Sequence, residues 1–201
     1  MKLAVFISGA GTTLHNLIQK RNDGQLDVDF ELVISSNPNA GGLKYAEQSN
    51  ISHQNVLRKD FSDAESYRDA MFAPCRKADV DYVLMGGFLQ HVLIPADFTH
   101  RVLNIHPALI PSFCGKNFYG RHVHEAVIAY GSKVSGCTVH FVDDQYDHGP
   151  ILLQQVVPVE KNDTPEQLAD RVFAAECEAY PEAIRLLKTG RVRIVGRQVT
   201  W

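Results

Sequence analysis

The sequence predicts an α/β domain, a three-layer Rossmann-like and mostly parallel sheet with helices on both faces. Three observations predict it. Short apolar runs alternate with segments of helical spacing through the first hundred residues. Those runs are apolar on both faces, as strands sandwiched between helix layers are. Each run closes on turn residues, at Ser8-Gly9, Ser35-Ser36-Asn37-Pro38 and Gly86-Gly87.

Residues 3–7 form the first strand, and 14–20 carry helical spacing. Strand 30–34 follows, then a helix over 43–48 and a short strand over 53–57. The segment 64–77 reads as helix because Tyr67, Met71 and Cys75 recur at i, i+4 and i+8. Strands 82–85 and 102–105 complete the alternating part. The second half changes character: 134–142 and 151–159 read as long strands joined by the polar loop Asp143-Asp-Gln-Tyr-Asp-His-Gly149. Val134, Gly136, Thr138, His140 and Val142 alternate as one face of a strand would. Thr164, Pro165 and Gln167 spell a helix start with a capping box. That helix runs toward Leu187 and stops at Thr189-Gly190, with Pro181 expected to kink it unless Glu182 begins a new segment. No repeat or linker interrupts the chain. The expected organisation is one domain over 1–201, with a phosphate-binding half at about 1–100 and a catalytic half at about 101–190.

The chain has 201 residues, 45% apolar and 21% charged, the composition of a globular protein with a full core. A net charge of -3 leaves no electrostatic footprint for nucleic acid or an anionic membrane. Cys75, Cys114, Cys137 and Cys177 lie far apart without a Cys-x-x-Cys, so reduced and mostly buried thiols are expected. Met1-Lys2-Leu3 runs straight into a strand, which leaves no room for a signal peptide, and no apolar run approaches the ~20 residues of a membrane span. A cytoplasmic protein is expected.

Chemistry concentrates at strand ends, where open α/β sheets bind ligands. Gly9-Ala10-Gly11-Thr12-Thr13 follows a strand and opens a helix, so backbone N–H groups and two hydroxyls can cradle a phosphate. A dinucleotide is disfavoured because Leu14 replaces the third glycine and no acidic residue follows Ile34-Ser35-Ser36-Asn37. Asn104 and His106 alternate onto one face of a strand, two donors able to meet an oxyanion. Asp147 could orient His106, keep it protonated or pass a proton through water. His122, His124 and His140 are the only rival metal set, and their spacing is poor for zinc, so no metal is expected.

These stretches resemble the folate-dependent formyltransferases, above all those that formylate glycinamide ribonucleotide in purine synthesis. The resemblance runs from Leu3 to Gly190. It is carried by Phe6-Ile-Ser-Gly-Ala-Gly11, Gly87-Phe88-Leu89, Leu103-Asn-Ile-His-Pro-Ala-Leu-Ile-Pro111 and Val139-His-Phe-Val-Asp-Asp-Gln-Tyr-Asp-His-Gly-Pro150. It implies Asn104, His106 and Asp147 as the catalytic trio and Gly9, Gly11, Thr12 and Thr13 as the substrate-phosphate cradle. It also implies Glu176 as a ribonucleotide contact and Phe88, Leu89, Gln90, Val92, Val142 and Asp143 as the folate cleft. The implied co-substrate is 10-formyltetrahydrofolate, the partners are small molecules, and the protein is a monomer or homodimer.

Three departures bear on the acceptor. Thr12-Thr13 stands where the family has Ser-Asn, a basic substrate-phosphate residue falls on Ala64, and Cys114-Gly-Lys-Asn-Phe-Tyr-Gly120 is long. A formyltetrahydrofolate deformylase and an N-formyltransferase for another amine, such as an amino sugar, stay open. A methionyl-tRNA formyltransferase lacks support, and a non-enzymatic binding module would leave the trio idle.

Overall fold

The computed structural model describes residues 1–201. It divides into two compact units, Met1–Asn104 and Ile105–Trp201.

In the first unit, β1 (Lys2–Ile7), α1 (Thr12–Asn22), β2 (Asp29–Ser35), α2 (Leu43–Gln48), β3 (Ser52–Asn55), α3 (Ala64–Lys77), β4 (Tyr82–Met85) and β5 (Val102–His106) follow in turn. The last of these strands runs on into the second unit. β1 pairs in parallel with both β2 and β4, β2 with β3, and β4 with β5. Leu3 to Ile7 are fully buried, which is why this run is apolar without alternation. Each of its larger side chains contributes about 1.5–3 kcal/mol by leaving water. α3 begins at Asp63, whose Oδ1 accepts from Ser66 N at 2.7 Å, and it buries Tyr67, Met71 and Cys75 as the spacing predicts.

The strand expected at 53–57 is displaced: β3 covers Ser52–Asn55, and a 3-10 turn at Arg58–Asp60 follows. One further ladder-like bond, Val56 N to Ser35 O at 2.9 Å, carries the chain off the sheet.

The second unit contains α4 (Arg121–Tyr130), β6 (Val134–Phe141), β7 (Ile151–Pro158), α5 (Pro165–Lys188) and a small hairpin of β8 (Arg193–Val195) and β9 (Gln198–Thr200). β6 and β7 are antiparallel, and α5 packs along both of them with α4 beside it. The capping box of α5 forms as predicted: Gln167 N donates to Thr164 Oγ1 at 3.3 Å, and Thr164 N to Gln167 Oε1 at 2.9 Å. Pro181 does not start a new segment. α5 runs through it as one helix, because Ala179, Tyr180, Pro181, Ala183 and Ile184 are all buried there. That burial offsets the ~3 kcal/mol a helical proline costs.

β6 departs from the one-face expectation, since every residue from Ser135 to Phe141 is buried. Its polar residues are therefore interior groups. The Thr138 hydroxyl donates to Ala108 O at 2.7 Å and accepts from Ile110 N at 3.1 Å. Helix α4 and the β8–β9 hairpin have no counterpart in the sequence reading.

The fold is α/β, a mostly parallel seven-stranded sheet in the order β3-β2-β1-β4-β5-β6-β7 with helices around it. No helix is long and apolar enough to cross a membrane.

Candidate active site

In the first unit, β1 ends at Ile7 and the chain turns through Ser8 and Gly9 into α1. Gly11 is the N-cap of that helix with φ 73°, a left-handed conformation that favours glycine. A Cβ at Gly11 would also fall on the Cα of Gly42, so the turn is doubly restricted to glycine. No side chain caps α1, and its first N–H groups stand at the positive end of the helix dipole. Thr12 is exposed, and Thr13 is half-buried against Gly86.

Hydroxyls tie the neighbouring strand ends together. Ser8 Oγ lies 2.6 Å from Ser36 Oγ and accepts from Leu89 N at 2.9 Å. Beside them opens a pocket of about 600 Å³ whose lining includes Ser36, Asn37, Arg58, Lys59, Leu89 and Gln90. Leu89 and Gln90, expected at a folate cleft, thus face open space. Phe88 packs on Phe6 with ring centroids 5.5 Å apart, and Val92 is buried core at 4% exposure.

Asn104 and His106 lie on β5 with Ile105 between them, so strand alternation gives their side chains a common face. In the second unit, His106 is buried, and its Nδ1 sits 3.5 Å from Asp147 Oδ2. Its Nε2 donates to the Phe113 carbonyl at 2.8 Å. Both ring nitrogens therefore face oxygen atoms. Asp147 is largely buried, has φ 51°, and accepts a second bond from Gly115 N at 2.8 Å. The spacing of motifs marks His106 and Asp147, but the backbone atoms of Phe113 and Gly115 carry no side-chain signal.

Two more histidines surround the pair. His140 Nε2 is 3.8 Å from Asp147 Oδ1, and its Nδ1 is 3.0 Å from the Phe141 carbonyl. Burial holds the His140 ring below the usual imidazole range, outweighing the pull of Asp147. His124 is also held low, by burial first and then by the charge of His106, and its Nδ1 has no hydrogen-bond partner. His122 instead lies on the exposed side of α4 against Glu125. No group of three His, Cys, Asp or Glu side chains is arranged to hold a metal.

Val142 and Asp143 are half-buried in the loop that leads to Asp147. Asp143 Oδ2 meets His148 Nδ1 at 2.7 Å, and Arg197 from the C-terminal hairpin donates to the His148 carbonyl at 2.6 Å. Glu176, on α5, is half-buried without a hydrogen-bond partner, and burial pushes its carboxyl up to about 8. All four cysteines are free; Cys75 and Cys137 are buried, whereas Cys114 and Cys177 are half-buried.

The chain is similar to known proteins over nearly its whole length. Residues 1–184 match the formyl transferase family. The chain is 40% identical over 201 residues to the chloroplastic phosphoribosylglycinamide formyltransferase of Vigna unguiculata, covering 95% of this chain and 62% of that protein. It is 40% identical to the protein of the same name from Arabidopsis thaliana, covering 96% of this chain and 67% of the other. Among solved structures, glycinamide ribonucleotide transformylase 1 from Symbiobacterium toebii superposes with a TM-score of 0.92 at 36% identity, over 99% of this chain and 92% of that one. The chain belongs to the formyl transferase family.

Proposed function

We propose that this protein transfers the formyl group of 10-formyltetrahydrofolate to the amine of glycinamide ribonucleotide, a step of purine biosynthesis. The observation that carries this reading is the buried His106–Asp147 pair at 3.5 Å, two residues beyond Asn104 on β5. It occurs in a chain similar over nearly its whole length to proteins named for that reaction.

The neutral amine attacks the formyl carbon, and the carbonyl electron pair moves onto oxygen. Asn104 and the Nε2 proton of His106 stabilise that oxyanion. Nε2 already donates to a carbonyl oxygen, that of Phe113, so a substrate carbonyl would take the same kind of bond in its place. Collapse re-forms the carbonyl and breaks the bond to N10 of the folate. The proton lost by the amine goes to N10, and Asp147 supports His106 and relays the proton through water.

Gly9, Gly11, Thr12 and Thr13 would hold the ribonucleotide phosphate at the uncapped start of α1. Glu176, protonated at neutral pH, would offer an O–H to that substrate. Phe88, Leu89, Gln90, Val92, Val142 and Asp143 would line the folate cleft. The protein would act as one domain, as a monomer or homodimer, in the cytoplasm and without a metal, although the plant relatives carry chloroplastic in their names.

The test follows tetrahydrofolate release from 10-formyltetrahydrofolate with glycinamide ribonucleotide present and then omitted. Release only with the ribonucleotide is expected. Release without it means a deformylase, and release in neither tube means a different amine.

A further inference from the structure

We infer that Arg197, at the tip of the C-terminal hairpin, is a positioning residue for Asp147 and acts through His148. This rests on the formyl-transfer reading above, in which Asp147 supports His106. β8 and β9 pair Val195 with Gln198, which leaves Gly196-Arg197 as a two-residue turn, and Gly196 has the positive φ of 59° that such a turn favours. Each strand has three residues and no fully buried side chain. A hairpin that small is marginal at best on its own in water, so its place depends on what it touches. β9 lies beside β7. The tip reaches the loop between β6 and β7. Arg197 Nη2 donates to the His148 carbonyl at 2.6 Å, and Nη1 lies 3.1 Å from His148 Nε2.

This grip selects one form of the imidazole. A guanidinium only donates, so Nε2 accepts, and the ring proton sits on Nδ1, which donates to Asp143 Oδ2 at 2.7 Å. The other oxygen of Asp143 accepts from Gln145 N at 2.9 Å. Asp143 therefore pins the loop on both sides of Asp147, at Gln145 and at His148, and Arg197 holds the second pin from outside. Asp147 needs such bracing. Its φ of 51° is a left-handed conformation, which a residue other than glycine keeps only where its surroundings impose it. Its Oδ2 accepts from Gly115 N at 2.8 Å and lies 3.5 Å from His106 Nδ1. The carbonyl that Arg197 grips belongs to the next residue along the chain. A shift of ~1 Å in a reacting geometry can cost about a hundredfold in rate, so slack at His148 reaches the chemistry through Asp147.

The experiment compares wild type with Arg197→Ala, Arg197→Lys, His148→Ala and the Arg197→Ala/His148→Ala double variant. It measures kcat and the ribonucleotide KM, and hydrogen exchange at the Gly115 amide, which reads the place of Asp147 without turnover. Arg197→Ala is expected to lower kcat about tenfold with the ribonucleotide KM unchanged, and to speed Gly115 exchange by about the same factor. Lysine keeps one donor and should recover part of the rate. The double variant should lose less than the product of the two single losses, because both act on one contact. A wild-type kcat in Arg197→Ala overturns the inference even where thermal stability falls, since the hairpin would then only pack. A double variant whose loss equals that product overturns it too. Both side chains are exposed, and should the alanine variants still not fold, Arg197→Lys alone is expected to lower kcat about threefold, a wild-type value there being contrary. If wild type transfers no formyl group, the reaction proposed above fails, and Gly115 decides the placement of Asp147: faster exchange in Arg197→Ala supports it, and wild-type exchange overturns it.

Discussion

Strands β1 and β6 are both buried beyond their first residue, yet they bury different things. β1, in the first unit, carries Leu3, Ala4, Val5, Phe6 and Ile7, and its polar chemistry begins only where the strand stops, at Ser8. β6, in the second, buries Ser135, Thr138 and His140 among Cys137, Val139 and Phe141. The first unit therefore presents ligand-binding groups as backbone donors and hydroxyls at strand ends, on a core that is indifferent to pH. The second unit places histidines and a carboxylate in a medium where water cannot screen them. A charge there has larger effects and needs a partner for every polar atom. In the proposed reaction one unit holds an anion and the other moves a proton.

The largest effect should come from the second unit. His106→Ala removes the donor at the proposed oxyanion, and kcat is expected to fall by about 10²–10⁴ while near-ultraviolet circular dichroism stays native. Wild-type turnover in that variant would leave the buried pair as packing only.

The next largest effect tests the first unit through its backbone. Gly11→Ala puts a methyl onto the Cα of Gly42 at a residue with φ 73°. Two backbone segments meet there and neither can yield as a side chain would. A loss of about 2–4 kcal/mol is expected in urea unfolding, with a raised KM for the ribonucleotide. An unchanged midpoint would show that the turn reshapes freely.

A smaller effect separates the units by pH. Glu176 has a folded value raised from 4.5 to about 8, so its contribution is complete below pH 4.5 and is lost as pH rises through 8. His140 and His124 are lowered from 6.5, so theirs is present above pH 6.5 and lost as pH falls. Together they place maximal stability in mildly acidic to neutral solution. Glu176→Gln should remove the decline that Glu176 imposes between pH 4.5 and 8, about 2 kcal/mol after allowance for its partial exposure. Thermal unfolding across pH 5–9 checks this, and an alkaline limb identical in both proteins would show that Glu176 ionises freely in the folded state.

The same contrast explains what the sequence could reveal. Parallel strands buried on both faces read directly as apolar runs; α3 is legible from the recurrence of Tyr67, Met71 and Cys75, and the start of α5 from the local Thr164–Gln167 box, whereas the Asp63 cap of α3 is seen only in the structure. α4 starts after Gly120 with no side-chain cap, and the mixed Arg-His-Val-His-Glu sequence that follows hides its apolar face. The β8–β9 hairpin has strands of three residues with no buried side chain to mark them. At the site, Asn104, His106 and Asp147 were named from residue type and motif. The acceptor for His106 is a carbonyl of Phe113, whose φ of 51° follows from the fold of its loop and from nothing local. Arg58 and Lys59 were visible as charges, but only the tertiary fold sets them beside Ser36 and Gln90.

The decisive measurement is single-turnover formyl transfer by Asp147→Asn, with folate affinity titrated on the same sample. Asparagine keeps the shape and can still accept from Gly115, but it removes the charge beside His106. A fall of at least about 10² in the transfer rate with unchanged folate affinity is expected. A wild-type rate at normal folate affinity would contradict the assignment of the His106–Asp147 pair to the chemistry.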